Sequence, residues 1–229
     1  MLWEIIDAIQ QANIWALASA LGSVVVILLI CLPVHESAHA FAAYKLGDPT
    51  AKLQGRLTMN PFKHLDPIGS LLILLCGFGY ARPVPVNMLN FRHRKRDMAL
   101  TALAGPMSNF LMAVIFTFLE VLFVYLIPIQ GTVRLFIILF LNYAAYINVS
   151  LAIFNLIPVP PFDGSRILGY FVSDRVYYTV MRYERQILLV VLLLLATGFL
   201  SGPLANATNA VSNGLYELFS FPFRGLFVS

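Results

Sequence analysis

Charge is scarce in this chain: 11% of its 229 residues are Asp, Glu, Lys or Arg, where ordinary soluble domains carry roughly 25%. A water-soluble globule is thereby excluded. Hydrophobic residues make up 59% of the chain, and several apolar runs approach the roughly 20 residues that cross hydrocarbon. Cysteine is scarce as well. Cys31 and Cys76 lie in apolar runs and form no CxxC pair, which excludes a disulfide framework and leaves them as small packing residues. No basic stretch is interleaved with aromatics, and the net charge of +4 arises from loop lysines and arginines, so nucleic acid is not a partner. The opening "MLWEIIDAIQQAN" lacks the positive charge of a cleavable signal. Leu2, Trp3, Ile6 and Ile9 instead suggest a short interfacial helix. Internal repeats, low-complexity tracts and linkers are also missing. Residues 1–229 therefore read as one integral membrane domain, with a core at 14–170 and an accessory span plus interfacial C-terminal segment at 171–229.

What is present is the pattern of an all-α polytopic membrane protein. Four stretches are long enough to span: 14–44, 97–127, 133–157 and 186–204. A fifth, "DPIGSLLILLCGFGY" at 66–80, is too short to cross comfortably. Asp66 followed by Pro67 marks a helix start, so a re-entrant or short interfacial helix is expected there. Of the 15 basic residues, all but Arg134 and Arg224 fall between the first and second spans or between the third and fourth. The positive-inside rule places both loops in the cytoplasm and both termini outside. Lys63 and Arg82 flank 66–80 and share a side, which agrees with re-entry. In the basic loops, "TAKLQGRLTMNPF" and "ARPVPVNM" alternate briefly between Pro and Gly breaks, the pattern of a small membrane-surface β element. The Phe-rich segment 205–229 suits an outer-surface interfacial helix or a lid over the bundle mouth.

Against that apolar background stands "HESAH". His35 and His39 are four residues apart, so on a helix they share a face, and Glu36 lies beside them. This is the HExxH geometry of zinc hydrolases, with two imidazoles for one metal ion and a carboxylate to act on water. With Tyr44 and Lys45 marking the membrane edge, His39 lies roughly 9 Å inside at about 1.5 Å per residue. A glutamate without a partner at that depth is costly. A divalent cation offsets the burial of all three groups at once; two histidines satisfied by neighbouring helices are the bland alternative.

A catalytic zinc site takes three protein ligands and keeps one position open. His93 belongs to the basic loop, His64 in "NPFKHLDP" is a loop histidine within possible reach, and Glu120 lies toward the outer side of the second span. Asp163 follows the third span in "NLIPVPPFDGSR", where three prolines stop the helix and Gly164 frees the turn. Irregular backbone lining a polar cavity could carry it back beside the first span. Asn155, in the same polar turn, is a candidate donor to a developing oxyanion. Asn148 and Asn109 are candidate substrate contacts. Asn148, with Asn142, reads more simply as an interhelical hydrogen-bond residue, and Asn109, in "AGPMSN", as part of a close-packing stretch. Gly77 and Gly79 in "CGFGY" would suit a mobile gate or a close backbone approach.

Taken together, "HESAHAFAAYKLGD", "GRLTMNP", "DPIG", "ARPVPVN", "DMALTALAGPMSN" and "NLIPVPPFDG" resemble the site-2 proteases, which are intramembrane zinc metalloproteases. The likeness is greatest to their compact prokaryotic branch without a PDZ domain, and it runs in unbroken order over roughly 30–170. It implies one zinc ion per chain held by His35, His39 and Asp163, with Glu36 as catalytic acid/base and Asn155 near the scissile peptide. It also implies regulated cleavage of a transmembrane segment in a single-span membrane protein, within the lipid bilayer of a prokaryotic cell. Spacing alone gives a metal hydrolase at membrane depth; the peptide substrate comes from the family. A target helix must unwind before its carbonyl is accessible, and an extended segment could pair with a short strand at 51–59 or 82–88. The rival readings are a metal-ion carrier and an inactive metal-binding scaffold. A carrier commonly shows repeated halves with matching helix interruptions, and this sequence has neither. No oligomeric state follows from the sequence.

Overall fold

The first helix shows how local sequence prepares the site. The computed structural model describes residues 13–67, 69–71 and 81–223. Asn13 caps α1 (Ile14–Lys45), its Oδ1 accepting from the Ala16 amide at 3.1 Å. The helix is regular except for a π turn at Ile27–Cys31, just ahead of Pro33. Proline disturbs a regular helix through its missing N–H and its ring, and π turns recur beside functional positions. The helix stops before Gly47, with Lys45 in its last turn, where a cation suits the helix dipole.

With α2 (Arg94–Leu126) and α3 (Thr132–Asn155), α1 forms a set of three helices long and apolar enough to cross a membrane. The expected bounds of these three spans agree to within a turn. Their shared core joins Ile27 and Cys31 of α1, Phe116 of α2, and Leu141, Ala144 and Ala145 of α3. Small residues at such contacts let the backbones approach, which is how helices associate in lipid.

The longer helices that follow among the described residues are α4 (Asp163–Phe171), α5 (Asp174–Arg182), α6 (Glu184–Ala196) and α7 (Ser201–Ser220). The fourth span expected at 186–204 is not one helix. α6 ends at Ala196, Gly198 adopts φ +79, and α7 begins at Ser201. The 13 residues of α6 reach about 20 Å, short of the roughly 30 Å hydrocarbon core. α7 packs on α2 and α3, with Phe219 against Phe118 and Phe223 against Tyr125. Much of the segment expected at the surface thus lies against the bundle.

The small β element is also corrected: there is no strand among the described residues. Thr50–Leu53 makes one helical turn, and 81–87 run without regular secondary structure or a ladder partner. Pro83 and Pro85 deprive that segment of two donors a ladder would need. Helix formation at Pro67 agrees with the start signal, and the Gly69 amide bonds Asp66 Oδ1 at 3.1 Å. Most of the re-entrant stretch, including Gly77 and Gly79, lies outside the described residues, as does the N-terminal helix expected over 1–12.

Side chains rather than strands dock these loops. Asp48 is fully buried and accepts from the Asn87 amide at 2.7 Å, Asn90 Nδ2 at 2.7 Å and the Thr50 amide at 3.1 Å. Ser37 Oγ, inside the HESAH turn, donates to the Thr58 carbonyl at 2.6 Å, and His64 Nε2 bonds the same oxygen at 2.7 Å. The Arg82 amide then bonds the His64 carbonyl at 2.8 Å. Both loops are therefore fixed to the end of α1 that carries the histidines.

Candidate metal centre

His35 and His39 occupy successive turns of α1, and α4 brings Asp163 to them as its first residue. The two Nε2 atoms stand 3.0 Å apart, and Asp163 Oδ2 lies 3.4 Å from His35 Nε2 and 3.2 Å from His39 Nε2. Three donors at the corners of a tetrahedron about 2.0–2.1 Å from zinc would be separated by about 3.3 Å. The triangle fits that ion, and so does its chemistry of two imidazoles and one carboxylate. His39 Nδ1 lies 2.8 Å from the Thr101 carbonyl of α2, so that nitrogen carries the proton and Nε2 keeps its lone pair for a metal. Both histidines are buried.

Gly105 explains how α2 approaches so closely. A Cβ at this position would stand 2.3 Å from His39 Nε2 and 2.6 Å from His35 Cε1. The adjacent Pro106 removes the N–H that would have bonded the Ala102 carbonyl, next to the carbonyl that orients His39. Gly164 has a different role from the one expected. It has no left-handed backbone; its Cβ would lie 2.3 Å from the Leu156 carbonyl. The glycine saves space where the proline turn folds back on the end of α3.

Beside the triangle opens a largely apolar cavity of about 460 Å³, lined in part by Glu36, Asn109, Asn155, Arg166 and Glu184. Glu36 is 8% exposed and has no hydrogen-bond or ion-pair partner among the described residues. Asn155 lines the cavity, but its Nδ2 donates to the Leu151 carbonyl of its own helix at 3.0 Å. Asn109 is 2% exposed, and its Oδ1 is buried in the cavity wall without a partner. Asn148 does not line the cavity; its Nδ2 donates to Cys31 Sγ at 3.3 Å and to the Ala144 carbonyl at 2.9 Å. Of the other candidate ligands, His64 is committed to Thr58, His93 is exposed, and Glu120 accepts from Asn142 Nδ2 at 3.0 Å.

Sequence reasoning missed Thr101, Arg166 and Glu184, and read Gly105 only as part of the close-packing stretch "AGPMSN". Gly105 left a signal, a glycine inside a helix ahead of proline. Thr101 left none, because it acts through its carbonyl.

A donor set of this kind, sunk into an apolar helical bundle, defines a membrane-embedded metal hydrolase. Comparison with known proteins gives the family: residues 23–198 match the profile of peptidase family M50, and the chain belongs to that family. It is 40% identical over 209 residues to the Bacillus subtilis (strain 168) protein YwhC, named as a zinc metalloprotease, covering 91% of this chain and 95% of that one. The protein Rip2 of Mycolicibacterium smegmatis, with the same kind of name, is 28% identical over 74% of this chain and 64% of its own length. MJ0611 of Methanocaldococcus jannaschii, also so named, is 32% identical over 45% of this chain and 50% of its own. No solved structure matches. The protein is thus an intramembrane zinc metallopeptidase.

Proposed function

We propose that His35, His39 and Asp163 hold the zinc ion, that Glu36 is the general base and acid, and that the substrate is a transmembrane segment of a single-span membrane protein, cut in a regulated step. The observation that carries the reading is the donor triangle of 3.0, 3.2 and 3.4 Å built from two separate helices. Zinc at such a site polarises the scissile carbonyl and lowers the pKa of water toward neutrality.

The chain's own groups divide the remaining work. Glu36 takes the proton of the attacking water and delivers it to the departing amine. The Thr101 carbonyl holds the His39 ring in register, so Nε2 stays directed at Asp163. Asn155 offers its second amide hydrogen to the developing oxyanion, and Asn109 Oδ1 accepts from an exposed peptide N–H. An unwound helix presents unpaired backbone groups that are costly in an apolar cavity, so both amides act on the substrate main chain. The stretch 81–87 contributes Pro83, Val84 and Val86 to the cavity wall. The Val84 and Val86 main chains have no hydrogen-bond partner among the described residues, which suits pairing with an extended peptide.

In the proposed topology the centre is near the cytoplasmic face and both termini are outside: α6 and α7 together return the chain across the bilayer, with Phe223 stacked on Tyr125 at the end of α2 away from the centre. The basic loops support it: they join the ends of α1, α2 and α3 that surround the centre. Glu36→Gln tests the central claim. Purified protein should retain zinc by elemental analysis, while cleavage of a single-span substrate falls about 10²- to 10⁴-fold. His39→Ala should lose the metal. Undiminished cleavage by Glu36→Gln, or full zinc in His39→Ala, overturns the assignment.

A further inference from the structure

A second cavity, of about 160 Å³, lies between the start of α2, α4 and α5. It offers about ten times the space that one water requires. Arg94, Lys95, Arg166 and Asp174 line it together with Tyr177 and Tyr178. Lys95 Nζ is committed to Asp174 Oδ1 at 2.7 Å and to the Val172 carbonyl at 2.9 Å. Arg94 and Arg166 have no hydrogen-bond or ion-pair partner among the described residues. Two guanidinium groups without counter-ions, two phenols and a neutralised Lys–Asp pair make a pocket of net positive charge, rich in planar donors. Arginine forks match phosphate geometry.

Its setting points the same way. Arg94 and Lys95 open α2 ahead of its apolar stretch. On α5, Val176, Tyr178 and Val180 are exposed alongside Arg175 and Arg182, the composition of a helix lying at headgroup level. Basic pockets between helices on the positive side of a membrane attract phosphate-bearing headgroups. We propose that this cavity binds a phosphate group, as carried by an anionic lipid headgroup, through Arg94 and Arg166.

Arg166 gives the site a consequence. It lines the larger cavity too, and it lies one turn from Asp163 on α4. A phosphate held by Arg166 therefore tethers the short helix that delivers the carboxylate to the metal triangle. Phosphate binding itself does not depend on the metal assignment.

Native mass spectrometry of the detergent-solubilised protein, titrated with short-chain phosphatidylglycerol or phosphatidylcholine, tests the proposal. Wild type should retain the anionic lipid about tenfold better than the zwitterionic one, and Arg94→Gln should remove that preference. Arg92→Gln, in the same basic run but outside the cavity, should leave it intact. Equal losses in the two variants mean diffuse surface charge and overturn the site. Equilibrium dialysis with inorganic phosphate separates the sources: saturable binding abolished by Arg94→Gln, without any lipid preference, keeps the phosphate site and assigns it to a soluble ligand. Should Arg94→Gln fail to fold, phenylglyoxal labelling of wild type decides. Lipid should slow modification of Arg94 and Arg166 about tenfold relative to Arg92, and equal rates with and without lipid refute the site.

Discussion

The far end of α2 and its middle stretch, which faces the metal triangle, hold buried polar groups in opposite ways. At the far end Glu120 is bonded to Asn142, and Phe118 and Tyr125 pair with rings of α7 and the turn that follows it. Midway along α2 the Asn109 carbonyl oxygen has no partner, and this stretch faces a neighbouring helix whose Glu36 and His35 Nδ1 have none among the described residues. Unpaired buried polar groups are destabilising wherever they occur. On the proposed function, the far end is built for stability, while the stretch facing the metal triangle retains groups whose partners would arrive with a metal and a substrate. Substitutions that fill, loosen or neutralise each region test that division.

The largest effect belongs to Gly105→Ala. The new Cβ would stand 2.3 Å from His39 Nε2. That ring cannot simply swing aside, because Nδ1 is held by the Thr101 carbonyl at 2.8 Å. Zinc content should fall, and cleavage should drop by about 100-fold or more, the penalty of a misplaced catalytic group. Elemental analysis beside a cleavage assay checks both. Normal zinc and activity would mean that the close approach of α2 has no bearing on the centre.

Next comes Asp48, which ties the loops together just beyond the end of α1. Burial pushes its carboxyl up, but hydrogen bonds from Thr50 and Asn90 and from the Asn87 and Thr50 amides outweigh that and hold it below the ordinary range. A lowered folded-state value contributes stability above the unfolded pKa of about 3.9, and that stability is lost as pH falls through the folded value. Asp48→Ala should lower unfolding stability by about 3 kcal/mol at neutral pH, from several charge-assisted bonds lost together. The gap from wild type should narrow in acid below about pH 4. Thermal unfolding in detergent across pH reads both effects; a gap that widens in acid contradicts the sign.

Ser37→Ala is smaller. It removes one donor to the Thr58 carbonyl, which keeps its bond from His64 Nε2, so about 1 kcal/mol of stability should go. Cleavage should fall less than in Gly105→Ala, since the loop stays docked through His64 and Asp48. A loss of zinc in this variant would show that the loop also positions the histidines.

How much of this was legible beforehand depended on the range of each interaction. HExxH is a local pattern, because four residues on a helix return to the same face, and so His35, Glu36 and His39 could be read directly. Asp163 was within reach because three prolines stop α3 where the chain must fold back. The orienting carbonyl of Thr101 was not legible, since any residue at that position supplies the same atom. The misread fourth span shows the limit of hydropathy: the apolar run continues through Thr197 and Gly198, while the helix turns there. The β element failed for a related reason, because alternation and proline in 81–87 specify extended backbone but supply no partner strand.

The smallest expected change is the most informative about the comparison, because Glu120 and Glu36 are chemically the same residue in one bundle. Glu120→Gln keeps a side-chain oxygen of similar reach for Asn142 and removes the cost of any charge in the apolar interior. No residue lining the main cavity is displaced, since Glu120 is not among them. Zinc content and cleavage should stay within about twofold of wild type, and stability should be equal or slightly higher, as when a buried charge gives way to a neutral isostere. The same change at Glu36 should lower cleavage about 10²- to 10⁴-fold while sparing the metal. If Glu120→Gln also removed cleavage with zinc intact, the far end would share in the chemistry. The Glu120–Asn142 pair would then have to be treated as part of a proton path through the bundle rather than as a structural contact.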